Sequence, residues 1–191
     1  MKEDYTVATS ALERLKEGNK LYVNSAKSVG DVSSEKRLYT SQNGQHPYAV
    51  IVGCSDSRVI PESIFSAGIG ELFVIRVAGN VVGDYQLGSI EYAVEHLGCK
   101  LVLVLGHTGC GAVSAALCEN SGHVKRITDE IKRAIGTESD AVKASMLNVN
   151  QSVSKVKQQF AAMKDVLVTG ALYHTDSGVV DFYLDSGKLN K

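Results

Sequence analysis

Four runs of nearly continuous apolar residues punctuate the chain: YAVIVGC at 48 to 54, LFVIRVA at 72 to 78, KLVLVLG at 100 to 106 and VLVTGALY at 166 to 173. A strand with one wet face alternates apolar and polar residues. A run without alternation has to be covered on both faces, which is the pattern of parallel strands sandwiched between helices. Between the runs lie helix-like stretches, QLGSIEYAVEHLG (86 to 98), GAVSAALCEN (111 to 120) and AVKASMLNVNQSVSKVKQQFAAM (141 to 163). This alternation predicts an α/β fold built on a mainly parallel four-stranded sheet flanked by helices. The tail VVDFYLD (179 to 185) follows the turn HTDSG with too short a gap for a right-handed crossover, so it is expected to pair antiparallel as an edge strand.

Before the first strand, residues 9 to 23 place Ala11, Leu12, Leu15, Asn19 and Tyr22 at spacings of three and four, with Thr9 or Ser10 as the expected N-cap of an amphipathic helix. Residues 24 to 46 are polar and carry Gly30 and Gly44. We therefore expect one domain over residues 1 to 191, with an N-terminal helical arm at about 9 to 46 and a core at about 47 to 186.

Charge and composition exclude several classes of function. The 20 basic and 21 acidic residues leave a net charge of -1, and no block of like charge is present that could track a phosphate backbone, so no nucleic-acid partner is expected. The first residues, MKEDYTVATSALERL, lack the basic and apolar regions of a secretory leader, and no apolar run is long enough to span a bilayer. A cytoplasmic location without membrane association is the expectation. The four cysteines then read as free thiols or metal ligands rather than as a disulfide framework.

The chemistry concentrates at two strand ends. The first strand runs into CSDSRVIPE. If that segment stays extended, Cys54, Asp56 and Arg58 share a face, bringing together a thiolate, a carboxylate and a guanidinium. The third strand ends in GHTGCG, where His107 leaves the sheet and Cys110 stands at the turn that opens a helix. Ligands of open α/β sheets gather outside the carboxyl ends of the strands, so the two clusters are expected to meet. Two cysteines and one histidine favour Zn²⁺, one per subunit, and leave a fourth position for water. Water on zinc ionises near neutral pH in sites with three neutral histidines, whereas two thiolates here cancel the metal charge, so alkaline pH is expected to favour the reaction. Asp56, flanked by Arg58, would stay ionised and orient a zinc-bound hydroxide, or swing onto the zinc as a fourth ligand and exclude water. The glycines of GHTGCG do not follow the spacing of a dinucleotide loop and no Walker lysine follows them, so phosphate binding is not expected. Cys99 and Cys118 have no partner motif, and His46, His96, His123 and His174 read as surface or hydrogen-bonded residues.

The motifs CSDSR (54 to 58), RVAGN (76 to 80) and GHTGCG (106 to 111), in this order, resemble those of the β-class carbonic anhydrases, and ALERLKEGN and IEYAVEHLG are similar to that family's helices. The resemblance extends over roughly residues 8 to 186. It implies reversible hydration of carbon dioxide to bicarbonate, zinc bound by Cys54, His107 and Cys110, and a catalytic dyad of Asp56 and Arg58. It further implies an apolar substrate slot at a subunit interface, at positions matching Gln45, Phe73, Ala78, Tyr92 and Gly111, and a homodimer or higher homo-oligomer in which residues 9 to 23 act as an exchanged arm. Some members carry a tryptophan where this chain has Ile51, forming a bicarbonate site that favours the Asp-ligated state. Gln45 and Phe73 instead resemble the plant-like members, whose zinc is open to water. Three alternatives stand beside this reading: a zinc hydrolase of the same fold acting on carbon disulfide or carbonyl sulfide, a structural zinc module with Asp56 as permanent ligand, and a redox pair formed by Cys54 and Cys110.

Overall fold

The structure is a computed structural model that describes residues 5–25, 30–118 and 124–183. Helices α1 (Thr6–Asn24) and α2 (Ser34–Asn43) precede strand β1 (Ala49–Gly53), the short helix α3 (Pro61–Ile64) and β2 (Leu72–Arg76). A tight 3₁₀ turn (Ala78–Asn80) leads to α4 (Asp84–Glu95), β3 (Leu101–His107), α5 (Gly111–Leu117), α6 (Lys125–Ile135), α7 (Ala141–Gln159), β4 (Leu167–Tyr173) and β5 (Val180–Tyr183). The five strands form one sheet in the order β2-β1-β3-β4-β5, with β5 antiparallel at the edge and every other pair parallel. The expected α/β sheet and its edge strand are thus both present; Leu184 and Asp185, placed in that strand from the sequence, lie outside the described residues.

Alternate residues of each run feed opposite layers, which is why the runs lack polar positions. Ala49, Ile51, Leu101, Leu103 and Leu105 pack against Ala8, Leu12 and Leu15 of α1 and against α3. Val50, Val52, Val102 and Val104 face Ile90 and Val94 of α4 and Val149 and Val156 of α7. Helix α7 sits unusually close to the sheet: a Cβ on Gly106 or Gly170 would lie 2.5 or 2.6 Å from Val149 side-chain atoms. Truncating a fully enclosed residue such as Leu15 to alanine is worth about 2–5 kcal/mol.

Three details depart from expectation. Helix α1 starts at Thr6, with Tyr5 in the cap position and no side-chain cap, so Thr9 and Ser10 lie within the helix. Its apolar stripe packs on its own chain's sheet and α3. Helix α2 forms within the stretch read as polar, at Ser34–Asn43, started by Ser33, whose Oγ accepts the Lys36 N–H, and buries no residue. Helix α6, which was not anticipated, covers the metal-side layer with Thr128, Ile131 and Ile135. No helix among the described residues is long and apolar enough to cross a membrane.

Candidate metal centre

Strand order reverses at β1: the chain steps to β2 on one side and returns to β3 on the other. The crevice outside the carboxyl ends of β1 and β3 is therefore the topological switch point where such sheets bind ligands. Cys54 is the first residue after β1, His107 the last of β3, and Cys110 occupies the cap position of α5 after a turn at Gly109, whose φ is 66°. One ligand atom from each lies within 4.8 Å of the other two. All three residues are buried, at 4%, 0% and 3% exposure.

Hydrogen bonding leaves this cluster prepared for a cation. His107 Nδ1 lies 3.0 Å from the Thr108 carbonyl, which only accepts, so Nδ1 carries the proton and Nε2 presents a lone pair. That Nε2 is buried without a hydrogen-bond partner, a condition that costs about 1–3 kcal/mol unless something occupies the lone pair. Cys54 Sγ accepts the N–H of Gly79 at 3.3 Å and that of Asp56 at 3.4 Å. The Cys110 thiol beside it and, against the effect of burial, these two amides draw the Cys54 thiol well below its ordinary range. Cys110 is pushed upward by the neighbouring Cys54 and by burial, although the amides of Val113 and Ala112 favour its ionised form. The first ionisation of the pair is thus eased and the second opposed, a conflict that a divalent cation between the sulfurs removes. Two thiolates and an imidazole with a bare Nε2 fit Zn²⁺.

The Asp56–Arg58 pair lies at the more exposed side of the cluster. Strand β1 ends at Gly53 and its pairing with the neighbouring strand runs on only as far as the Ser55 N–H, 3.3 Å from the Val77 carbonyl; the expected extension to Arg58 is then broken by a turn, with the Val59 N–H on the Asp56 carbonyl at 3.0 Å. The turn brings Asp56 and Arg58 together: Arg58 donates from Nε and from its own backbone N–H to Asp56 Oδ1 at 2.9 and 3.0 Å, and from Nη2 to Oδ2 at 2.7 Å. The guanidinium also reaches the Gly109 carbonyl at 3.0 Å, tying the β1 loop to the His107–Cys110 loop. Arg58 holds the Asp56 carboxyl well below the usual carboxylate range, against a smaller opposing effect of burial. Asp56 Oδ2 stands 4.0 Å from His107 Nε2.

Of the expected pocket residues, Gly111 follows the ligand Cys110 in sequence, and Ala78 precedes Gly79, whose N–H donates to Cys54 Sγ. Phe73 and Tyr92 meet each other, with ring centroids 6.1 Å apart, but Phe73 lies three positions upstream of the end of β2, about 10 Å at the usual strand rise. Gln45 is exposed and precedes β1, at the opposite strand end from Cys54. Cys99 is buried with its thiol on the Pro47 carbonyl, Cys118 is exposed, and His174 pairs with Asp181 at 2.8 Å. His46 and His96 are exposed, and His123 lies outside the described residues. Sequence reasoning assigned no role to Arg76, whose guanidinium donates to the carbonyls of Cys54 at 3.0 Å and Asp56 at 2.7 Å and so shapes the loop that carries both. Its place in RVAGN was the available signal.

The carbonic anhydrase family model matches residues 49–180. The chain is 33% identical to a carbonic anhydrase of Mycolicibacterium smegmatis, covering 95% of this chain and 96% of that one. It is 34% identical to carbonic anhydrase 2 of Mycobacterium tuberculosis over 96% and 92% of the two chains. Among solved structures, the β-carbonic anhydrase CafA of Aspergillus fumigatus superposes with a TM-score of 0.71 at 28% identity, covering 93% of this chain and 90% of that one. The Coccomyxa β-carbonic anhydrase, solved with acetazolamide, gives 0.67 at 31% identity over 78% of each chain. With a family match over most of the chain, relatives above 30% identity along nearly all of it and the Cys54, His107, Cys110 cluster intact, this protein belongs to the β-class carbonic anhydrases.

Proposed function

We propose that, in the hydration of carbon dioxide by this carbonic anhydrase, Asp56 and Arg58 act as the catalytic dyad beside a zinc held by Cys54, His107 and Cys110. The observation that carries the assignment is the buried, unpartnered Nε2 of His107, with both ligand sulfurs within 4.8 Å and the Asp56 carboxylate 4.0 Å away. Bound Zn²⁺ supplies a Lewis acid that makes water a nucleophile near neutral pH. Asp56 stays ionised and offers a lone pair toward the metal side of the crevice, accepting a hydrogen bond from a proton-bearing group there and so orienting it. Arg58 fixes both carboxylate oxygens and, through the Gly109 carbonyl, keeps the dyad registered on the Cys110 loop.

The pairing of both Asp56 oxygens with Arg58 supports an open, plant-like site in which Asp56 is not a resting ligand, and Ile51 in place of tryptophan supports the same subgroup. Asp56 remains a ligand only of a closed, inactive state. Gln45, Phe73, Ala78, Tyr92 and Gly111 form the substrate slot of the proposal. Because Gln45 and Phe73 stand toward the strand starts and the ligands at the strand ends, a complete slot requires a second subunit. Exposed Val32, Leu38, Tyr39 and Tyr92 give a homodimer or larger homo-oligomer apolar surface to cover. We take residues 1 to 191 as one domain, with an arm at about 9 to 46 and a core at about 47 to 186. Four free cysteines suit a reducing compartment such as the cytoplasm.

The test is zinc content together with stopped-flow hydration near pH 7 and near pH 8.5, on wild type and Asp56→Ala. Bound zinc with fast hydration that is lost in the variant is the expected result. Bound zinc without hydration at either pH would mean a closed, structural site, and hydration unchanged in Asp56→Ala would remove Asp56 from the mechanism.

A further inference from the structure

Helix α7 carries a polar stripe into an otherwise apolar interface. Asn148, Ser152 and Lys155 follow one another at spacings of four and three, so they share a helix face. Each grips a backbone carbonyl of the segment that follows β2. Asn148 Nδ2 donates to Gly79 O at 2.7 Å, Ser152 Oγ to Asn80 O at 3.1 Å, and Lys155 Nζ to Val82 O at 3.3 Å. Lys155 is anchored in turn by Glu130 of α6, which also pairs with Arg133. Asn148 and Ser152 are only 2% and 3% exposed.

The gripped segment touches the metal centre directly, since the Gly79 N–H donates to Cys54 Sγ. Gly79 adopts φ 69° and ψ 18°, and a Cβ there would lie 2.8 Å from Ile131 Cδ1 and 3.1 Å from Ala112 Cβ. With that left-handed conformation fixed by packing, holding the Gly79 carbonyl also sets the direction of the N–H on the other side of the same Cα. We infer that Asn148, supported by Ser152, is a positioning residue for the Cys54 sulfur: it keeps the Gly79 amide aimed at Sγ and so moderates how strongly that thiolate donates to the metal. The inference rests on Cys54 being a zinc ligand. Hydrogen bonds to ligand atoms commonly set metal affinity and electronics from outside the first shell. If the stripe only satisfies buried carbonyls, its loss would reduce stability and leave the sulfur unchanged.

Cobalt(II)-substituted protein separates these two roles, because its thiolate-to-metal absorption band reports the electron density on sulfur. We would compare wild type, Asn148→Ser, Ser152→Ala and, as control, Ser145→Ala, a buried α7 serine that bonds only to its own helix at the Ala141 carbonyl. Expected results are a shift of the band to lower energy in Asn148→Ser and a loss of zinc affinity of about tenfold by chelator competition, the lower end for outer-shell partners. Ser152→Ala moves both in the same direction by less, and Ser145→Ala moves neither. Wild-type band and affinity in Asn148→Ser and Ser152→Ala, or equal changes in Ser145→Ala, would overturn the inference. If Asn148→Ser does not fold, Ser152→Ala decides by the same two readouts. Absence of any thiolate band in wild-type protein would overturn the ligand set itself, and the inference with it.

Discussion

Cys54, Asp56 and Arg58 lie within five residues of one another, yet they occupy opposite environments. Cys54 is sealed with His107 and Cys110 beneath the α5–α6 layer, whereas the Asp56 and Arg58 side chains are 18% and 55% exposed. Depth decides what each group can do. A buried bare imidazole nitrogen and two crowded thiols are costly unless a metal completes them, so the triad ties folding to zinc. An ion pair this exposed adds little to stability, which leaves Asp56 and Arg58 free to serve the proposed reaction. Changes in the triad should therefore remove metal and stability together, and changes in the dyad should remove rate alone.

The largest effect follows from breaking the triad. His107→Ala or Cys110→Ser is expected to lower zinc affinity by more than about 100-fold, beyond the range for outer-shell partners, and to abolish hydration. Chelation of wild-type protein should lower its Tm, and these variants should start near that lowered value. Metal analysis and thermal melts check both. A variant that keeps its zinc, or a chelated protein with an unchanged Tm, would break the link between burial and metal.

Next in size is the dyad. Asp56→Asn keeps the shape and removes the charge, and hydration should fall by about 10²–10⁴, the usual range for a positioned acid–base group, while zinc content and Tm stay at wild-type values. Loss of zinc in Asp56→Asn would mean that Asp56 belongs with the triad after all.

The pH profile sharpens the same contrast. Asp56 has a folded-state pKa depressed by Arg58, so its contribution is present above the unfolded value of about 4 and is lost only as pH falls through the lower folded value. The dyad is therefore unchanged between neutral and alkaline pH. A severalfold rise in hydration from near pH 7 to near pH 8.5 must then come from the metal side, where two thiolates weaken the Lewis acid. A flat profile across that window would contradict this account of the ligand charge.

The two regions also differed in how far the sequence revealed them. Near-continuous apolar runs marked all four parallel strands, although β2, at the sheet edge, is only partly buried where the run suggested cover on both faces, and Cys-x-Asp-x-Arg with His-x-x-Cys marked the ligands and the Asp56–Arg58 pair, because residues separated by two or three positions at strand ends carry a local signal. Their contacts were less legible. The approach of Asp56 to Arg58 depends on a turn where an extended segment was expected, and Arg76 works from the next strand. Helix α2 escaped notice because it buries nothing, so no apolar period marks it. In α6 the signal was present and was not read: Ile127, Ile131, Ala134 and Ile135 recur at helical spacing and pack on the metal-side cluster. The bond from Asn148 to Gly79 joins residues 69 apart, and an asparagine within a helix run does not identify its partner.

The smallest expected effect concerns the third region, Gln45, Phe73 and Tyr92, which stands apart from both triad and dyad in a single chain. Tyr92 is 47% exposed and packs at an angle on Phe73, so it is inexpensive to truncate and stabilises the fold little. If a second subunit brings these residues over the crevice, Tyr92→Ala should lower kcat/KM by about twofold to tenfold through weaker apolar contact with carbon dioxide, with zinc content and Tm unchanged. The oligomeric state, read by sedimentation on the same samples, separates two causes: a rate loss in an intact oligomer assigns Tyr92 to the slot, whereas a rate loss that tracks dissociation assigns it to the interface. Full activity in a protein that sediments as a monomer would show that triad and dyad suffice within one chain, and would remove this third region from the site.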